Sequence, residues 1–245
     1  MKHVKRAAIV GIVLLVIGII STLLISLTTN RTYYEIISLS KSYQENKVIN
    51  QTKIDSIDVG FEIGAIHFKK AKNNQISYHY IGSNQIKFRK QVVGNKLIFT
   101  SDSQSFTNFS VANAQSSLTI YLPVNHKFDV LAQTSVSAIS IKDVSFHDVA
   151  IKTDVGSISL NNVKVAGDLN LQSNVGRIKV NDVVEPKNVA INSTVGSINL
   201  RNIYSKNVKI TSNVGSISYR NKDQTYQVKN LNVYTVLGTK SIRVG

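Results

Sequence analysis

Cysteine is absent from the 245 residues, which excludes disulfide staples, thiolate metal sites, a cysteine nucleophile and a lipidated cysteine anchor. Stability has to come from strand pairing and apolar burial. Proline is scarce as well. Pro123 lies just past one predicted strand and Pro186 lies in a predicted turn, so neither interrupts a strand interior. Acidic residues are few: 14 Asp and Glu stand against 29 Lys and Arg, with 7 acidic and 15 basic residues in the first 130 and 7 and 14 in the remainder. A net charge of +15 spread so evenly describes a basic surface and not a basic tail. It favours anionic partners such as phospholipid headgroups, phosphate-rich wall polymers or nucleic acid.

The usual signatures of catalysis are missing too. Gly156 is followed by Ser-Ile-Ser-Leu and its copies, which lack the second glycine of a nucleophile elbow, and there is no HExxH, phosphate-binding glycine loop or EF-hand loop. A β-helical polysaccharide lyase or hydrolase would need clustered carboxylates. Here Asp143, Asp148, Asp154, Asp168, Asp182, Glu185 and Asp223 are spread one or two per repeat. Asp143 and Asp182 share a turn position with Asn162 and Asn202, a corner preference that a neutral amide satisfies equally well. The residues point to a protein that is not an enzyme and holds no cofactor. The histidines His3, His67, His79, His126 and His147 fit exposed strand or turn positions. If 65–69 and 75–81 form a hairpin about Asn73, His67 and His79 face each other, but no third ligand stands beside them, so no metal site is assigned.

The most specific local feature is Ala7 to Leu27, 21 residues without a charge. As a helix it spans roughly 31 Å, about one hydrocarbon core. Lys2, Lys5 and Arg6 precede it and Arg31 is the only charge close behind, so residues 1–6 are expected in the cytoplasm and the rest outside. A cleaved secretory signal is the alternative. The run exceeds the usual apolar region and ends in Ile25, Leu27 and Thr28 without an Ala-x-Ala site, which favours an uncleaved single span. Gly11 and Gly18 are seven apart and do not form a GxxxG dimer motif. Residues 28–53 read as a polar stalk, with Tyr33 and Tyr34 at the membrane interface and a short helix over 33–44 as an option.

From Ile54 the pattern becomes period-two alternation punctuated by Asn, Gly, Ser and Asp, the mark of short strands joined by tight turns. Strands are predicted over 56–61, 65–69, 75–81, 86–92, 96–100 and 117–122, giving an N-terminal β region over 54–130. Residues 131–245 carry an internal repeat. Blocks starting at Thr134, Thr153, Ser173, Ser193 and Ser212 share a Val-Gly-Ser-Ile-type core at spacings of 19, 20, 20 and 19, and a weaker last copy follows after 23. A second strand sits between blocks, beginning at Val149, Leu169, Val189 and Val208.

A near-constant period holding two short strands predicts one coil of an all-β solenoid of either hand, because a coil buries its apolar face only when the next stacks on it. Predicted inward residues of one coil are Val149, Ile151, Val155, Ile158, Leu160 and Val163, and predicted outward residues are Ala150, Lys152, Ser157 and Ser159. Gly156, Gly176, Gly196 and Gly215 fall at one corner of successive coils, with Ser137 in that place in the first copy. Two residues earlier, Asp154, Asn174, Thr194 and Asn213 are suited to bond turn backbone.

The spacing, the Val-Gly-Ser-Ile blocks and the segment from Leu118 to Pro123 resemble the bacterial "putative adhesin" family of β-strand-repeat domains, over roughly 54–244. The resemblance implies a β-helical fold and an envelope location. A single N-terminal membrane anchor is common among its Gram-positive members. It supplies no catalytic residue. The outward cations Lys152, Arg177, Lys179, Arg201, Lys209 and Arg220 are the predicted polyanion-binding residues, with Tyr204 and Tyr219 the main nearby aromatics. Two roles follow: adhesin-like binding of anionic wall or surface polymer, or a scaffold or sensor accessory in an envelope-stress system that would work through a membrane protein. An external location makes any nucleic-acid binding incidental.

Overall fold

The computed structural model describes residues 42–50, 53–83, 86–103, 116–222 and 228–244. The membrane span expected over 7–27 lies outside the described residues, among which no helix is long and apolar enough to cross a membrane. All regular structure among them is strand, joined in one 17-stranded network.

Two walls face each other across a single core. The first wall stacks the leading half of β2 (Ser56–Lys70) and of β7 (Phe128–Lys142), then β8 (Ser145–Val155), β10 (Asp168–Val175), β12 (Asn188–Val195), β14 (Asn207–Val214) and β16 (Asn230–Leu237). The second wall stacks the trailing halves of β2 and β7, then β9 (Ile158–Val165), β11 (Ile178–Val184), β13 (Ile198–Tyr204), β15 (Ile217–Asn221) and β17 (Lys240–Val244). Every pairing along these stacks is parallel, and equivalent residues sit one coil apart: Leu169 beside Val149 and Val189, Ile178 beside Ile158 and Ile198. This is a β-solenoid with coils of about 20 residues, as the repeat requires.

Strand β7 runs across the boundary expected at 130, and β2 stacks on it in register from Ser56 through Lys69, so the first coil begins with β2. Flanking strands extend the first coils. The hairpin β4 (Ile86–Val93) and β5 (Lys96–Ser103) adds to the first wall, while β6 (Ser116–Leu122), β3 (Ser77–Ser83) and β1 (Ser42–Val48) add to the second. Strand β1 occupies part of the stretch read as stalk. Its alternation of Tyr43, Glu45 and Lys47 with Gln44 and Asn46 lacks the apolar residues that mark a strand by sequence. Antiparallel pairing with β3 forms it.

Burial follows the repeat with two corrections, the first being that Tyr219, expected beside the outward cations, points inward and is fully buried in the core. Val149, Ile151, Ile158, Leu160 and Val163 are in the core, but Val155 is 46% exposed. Strict alternation from Val149 through Ile151 makes Thr153 the third inward side chain, and it is fully buried. The chain then bends at Gly156, so Val155 is swung outside before Ile158 re-enters. Thr134, Thr153, Ser173, Ser193 and Ser212 therefore form an inward hydroxyl row beside the corner.

The corner explains the glycines. Gly176 has φ +149, and a Cβ there would collide with the carbonyl oxygen of Gly156 one coil earlier. Its N–H donates to the Val195 carbonyl at 2.9 Å, so even the bend keeps its backbone bonds. The second corner uses a different device: Asp143, Asn162, Asp182 and Asn202 all adopt left-handed φ of 53–58°, a conformation that Asn and Asp tolerate best after glycine. Asn162 donates to Asp143 at 2.7 Å and Asn202 to Asp182 at 2.6 Å.

Candidate functional site

Outward positions of the second wall fall into three rows that the register defines residue by residue. One row holds Lys69, Lys142, Asn161, Asn181, Arg201, Arg220 and Arg243. The middle row holds His67, Ser140, Ser159, Lys179, Asn199, Ser218 and Ser241. The third, against the glycine corner, runs from Ala65 and Ala138 through Ser157, Arg177, Ser197 and Ser216 to Thr239. No Asp or Glu occupies any of these positions.

The predicted cations divide accordingly. Arg177, Lys179, Arg201 and Arg220 come together around a shallow depression of about 330 Å³ that also includes Asn181, Asn199 and Ser218. Lys152 and Lys209 do not join them. Both project from the first wall, in different rows, with Gln172, Asn192 and Thr211 continuing the Lys152 row and Ala150, Asn170 and Ala190 continuing that of Lys209. Alternation alone does not say which wall an outward residue belongs to, because both walls have the same period. Arg243, Lys142 and Lys69 belong to the cationic face and were missed. The stretched last spacing hid Arg243, and the other two precede the recognisable Val-Gly blocks.

Arg201, Arg220 and Arg243 are direct neighbours on adjacent strands, roughly 4.8 Å apart along the stack. Like charges at that distance repel by about 1 kcal/mol per pair in water. Among the described residues no carboxylate pairs with Arg177, Lys179, Arg201, Arg220 or Arg243. Arg177 Nε donates to Ser197 Oγ at 3.3 Å. Carboxylates begin at the edge of these rows, where Lys142 lies 3.9 Å from Asp143 at the second corner; on the first wall Lys96 pairs with Asp58 at 2.8 Å. His67, on the cationic face, has its pKa lowered by burial and by Lys69, so the charge at neutral pH rests on Lys and Arg.

The histidine pair expected across a hairpin is not formed. Strand β6 runs between β2 and β3, placing Thr119 between His67 and His79, two strand spacings apart. A hairpin was the wrong inference because the chain leaves β2 and returns on the far side of β6. Another cluster, Asp129, His147 and Asp148, is exposed and has ligand-type atoms within 4.8 Å of one another. Its carboxylates already have work. Asp129 Oδ1 accepts the Asp148 N–H at 3.2 Å and Asp148 Oδ1 accepts the Asp168 N–H at 2.6 Å, beginning a corner ladder that continues through Asp168, Asn188, Asn207 and Asn230. The ladder of Asp154 and Asn174 at the glycine corner is of the same kind, with a 2.9 Å bond between them.

Solved structures with the same fold include a "putative cell adhesion protein" from Clostridium sporogenes, 14% identical, covering 84% of this chain and 100% of its own, with a TM-score of 0.50. A "putative adhesin" from Bacteroides fragilis is 16% identical, covers 84% of this chain and 97% of its own, and has a TM-score of 0.50. At such identity the likeness is one of fold. No curated protein matches the sequence. A family model for the Toastrack DUF4097 domain matches residues 54–233, from just before β2 into β16, and the chain belongs to that family.

Proposed function

We propose that this protein is an adhesin-like binding module that engages an anionic envelope polymer through the carboxylate-free outward rows of its second wall. The uncharged run over 7–27 anchors it in the cell membrane as a single span, with residues 1–6 in the cytoplasm and the solenoid outside. The observation that carries the reading is the stack of Arg201, Arg220 and Arg243 with Arg177 and Lys179 beside it, with no Asp or Glu in the three rows they occupy. Each exposed contact is worth at most about 1 kcal/mol, so affinity depends on the number of coils engaged along an extended polyanion. The role we propose is binding: the corner carboxylates that approach one another sit in hydrogen bonds with backbone, amide and histidine groups that build the corner.

Retention on isolated cell walls, with and without their phosphate-bearing polymers, tests this directly. Retention should fall as salt rises, because the screening length drops from about 10 Å at 0.1 M to about 3 Å at 1 M. It should also fall when the polymers are removed. Binding indifferent to both would point to a neutral glycan or a protein, and absence of binding would favour the scaffold or sensor role.

A further inference from the structure

The glycine corner carries an apolar row that its backbone geometry does not require. Val136, Val155, Val175, Val195, Val214 and Leu237 stack in register along the outside of the solenoid, and their exposures run from 43 to 64%. What the corner requires of Val175, Val195, Val214 and Leu237 is the backbone carbonyl, which accepts the N–H of the glycine one coil earlier at 2.8–2.9 Å. Threonine offers the same carbonyl, the same branched shape and a strand preference. The backbone of the corner therefore does not dictate a hydrophobic side chain on every rung. Scattered exposed valines call for no explanation, but a continuous apolar row does.

The row is about 24 Å long, five strand spacings. At its first rungs it opens into an apolar depression of about 670 Å³ lined by Ile63, Ile81, Val136, Ala138 and Val155. It borders the cationic face directly: Arg177 is two residues beyond Val175, on the second-wall side of the corner. On the other side lie neutral or acidic corner groups, among them Asn174 and Asp154. An apolar ridge with cations along one flank matches one chemical surface, a lipid layer with anionic headgroups, where the ridge meets acyl carbons and the cations meet phosphates. On the topology proposed above, residues 28–41 separate the span from Ser42, at most about 50 Å of extended chain. The domain is thus held within reach of such a layer.

We infer that the valine ridge is a lipid-docking edge, by which the solenoid lies edge-on against an anionic membrane with the cationic face turned to its phosphates. The inference rests on the reading of that face as an anion-binding surface and assigns the ridge to it. The absence of cysteine allows a direct test. Single variants of the full chain, Val195→Cys on the ridge and Asn192→Cys on the first wall, are labelled with an environment-sensitive fluorophore. They are then reconstituted in vesicles carrying lipid-attached quenchers, either zwitterionic or about one-third anionic. The same samples are titrated with polyphosphate in quencher-free zwitterionic vesicles. Docking predicts quenching at position 195 in anionic vesicles, little in zwitterionic ones, and little at 192 in either. It also predicts that adding Val155→Ser, Val175→Ser and Val214→Ser abolishes the quenching at 195 while leaving polyphosphate binding intact. No quenching at 195 with polyphosphate binding preserved overturns the ridge and leaves the cationic-face reading standing. Equal quenching at 195 and 192 overturns it as well. Loss of both vesicle docking and polyphosphate binding removes the two together.

Discussion

Three kinds of residue hold the architecture, and each has its own sensitivity. At the glycine corner the constraint is double, a left-handed φ together with a carbonyl from the previous coil where a Cβ would stand. Gly176→Ala is expected to cost about 2–4 kcal/mol, since strain and overlap add, and chemical denaturation should show it as a lower midpoint with an unchanged slope. At the second corner only the backbone is strained. Asn162→Gly keeps the backbone free of strain and loses only the exposed bond to Asp143, so it should cost no more than about 1 kcal/mol, whereas Asn162→Val should be clearly more destabilising. Glu45 is the third kind. Burial alone pushes its carboxyl up, but hydrogen bonds from Lys47, Tyr78 and Tyr43 outweigh that and bring it from 4.5 down to about 2. A lowered folded-state pKa contributes stability that is complete above 4.5 and is lost as pH falls toward 2. The Tyr78 hydroxyl donates to Glu45 at 2.6 Å, so Tyr78→Phe should lower stability at neutral pH and flatten the acid-side loss, as thermal melts across pH 2–6 will show. The glycine corner and the Asn/Asp corner are legible from the repeat, because a backbone constraint leaves the same residue type at the same offset. Glu45 is not, because its partners Tyr43, Lys47 and Tyr78 mean nothing until β1 is laid on β3.

At the level of the coil, the parallel register makes length the controlled variable. Removing Thr153 to Gln172 joins Lys152 to Ser173, which is the pairing partner of Thr153, so every inward side chain keeps its phase. Removing Thr153 to Asn162 instead joins a first-wall strand to a residue beyond the second corner. The 20-residue deletion should melt as a cooperative β protein somewhat below the full chain, and the 10-residue deletion should be far less stable or unfolded. Equal melting of the two would contradict the solenoid. The coils themselves were readable because their inward residues repeat in type. The first coil was readable only as separate strands: β2 and β7 are single 15-residue strands that turn the corner without a break, and Gly64 and Ser137 mark the bend without a Val-Gly-Ser-Ile block. Val155 was misplaced for a related reason, since alternation counted along the chain does not register where the chain bends.

For the molecule as a whole the decisive property is how charge is sorted. The sequence shows an excess of 15 positive charges but not that the outward rows of one wall lack carboxylates altogether, because the assignment of outward residues to walls depends on the corners. A chain beginning at Asn30 lacks the uncharged run and should be soluble without detergent, with a circular dichroism spectrum dominated by β structure. The central claim concerns where such a chain binds anions. The measurement is its affinity for a defined polyphosphate at 0.1 M salt, in two variants with comparable loss of charge on opposite walls. Removing two charges of the stack with Arg220→Gln and Arg243→Gln should weaken binding about 5- to 30-fold, corresponding to up to about 1 kcal/mol per contact. Lys152→Gln with Lys209→Gln, on the first wall, should change it less than about threefold. If the two variants lose affinity equally, binding follows net charge and not the cationic face, and the account is wrong.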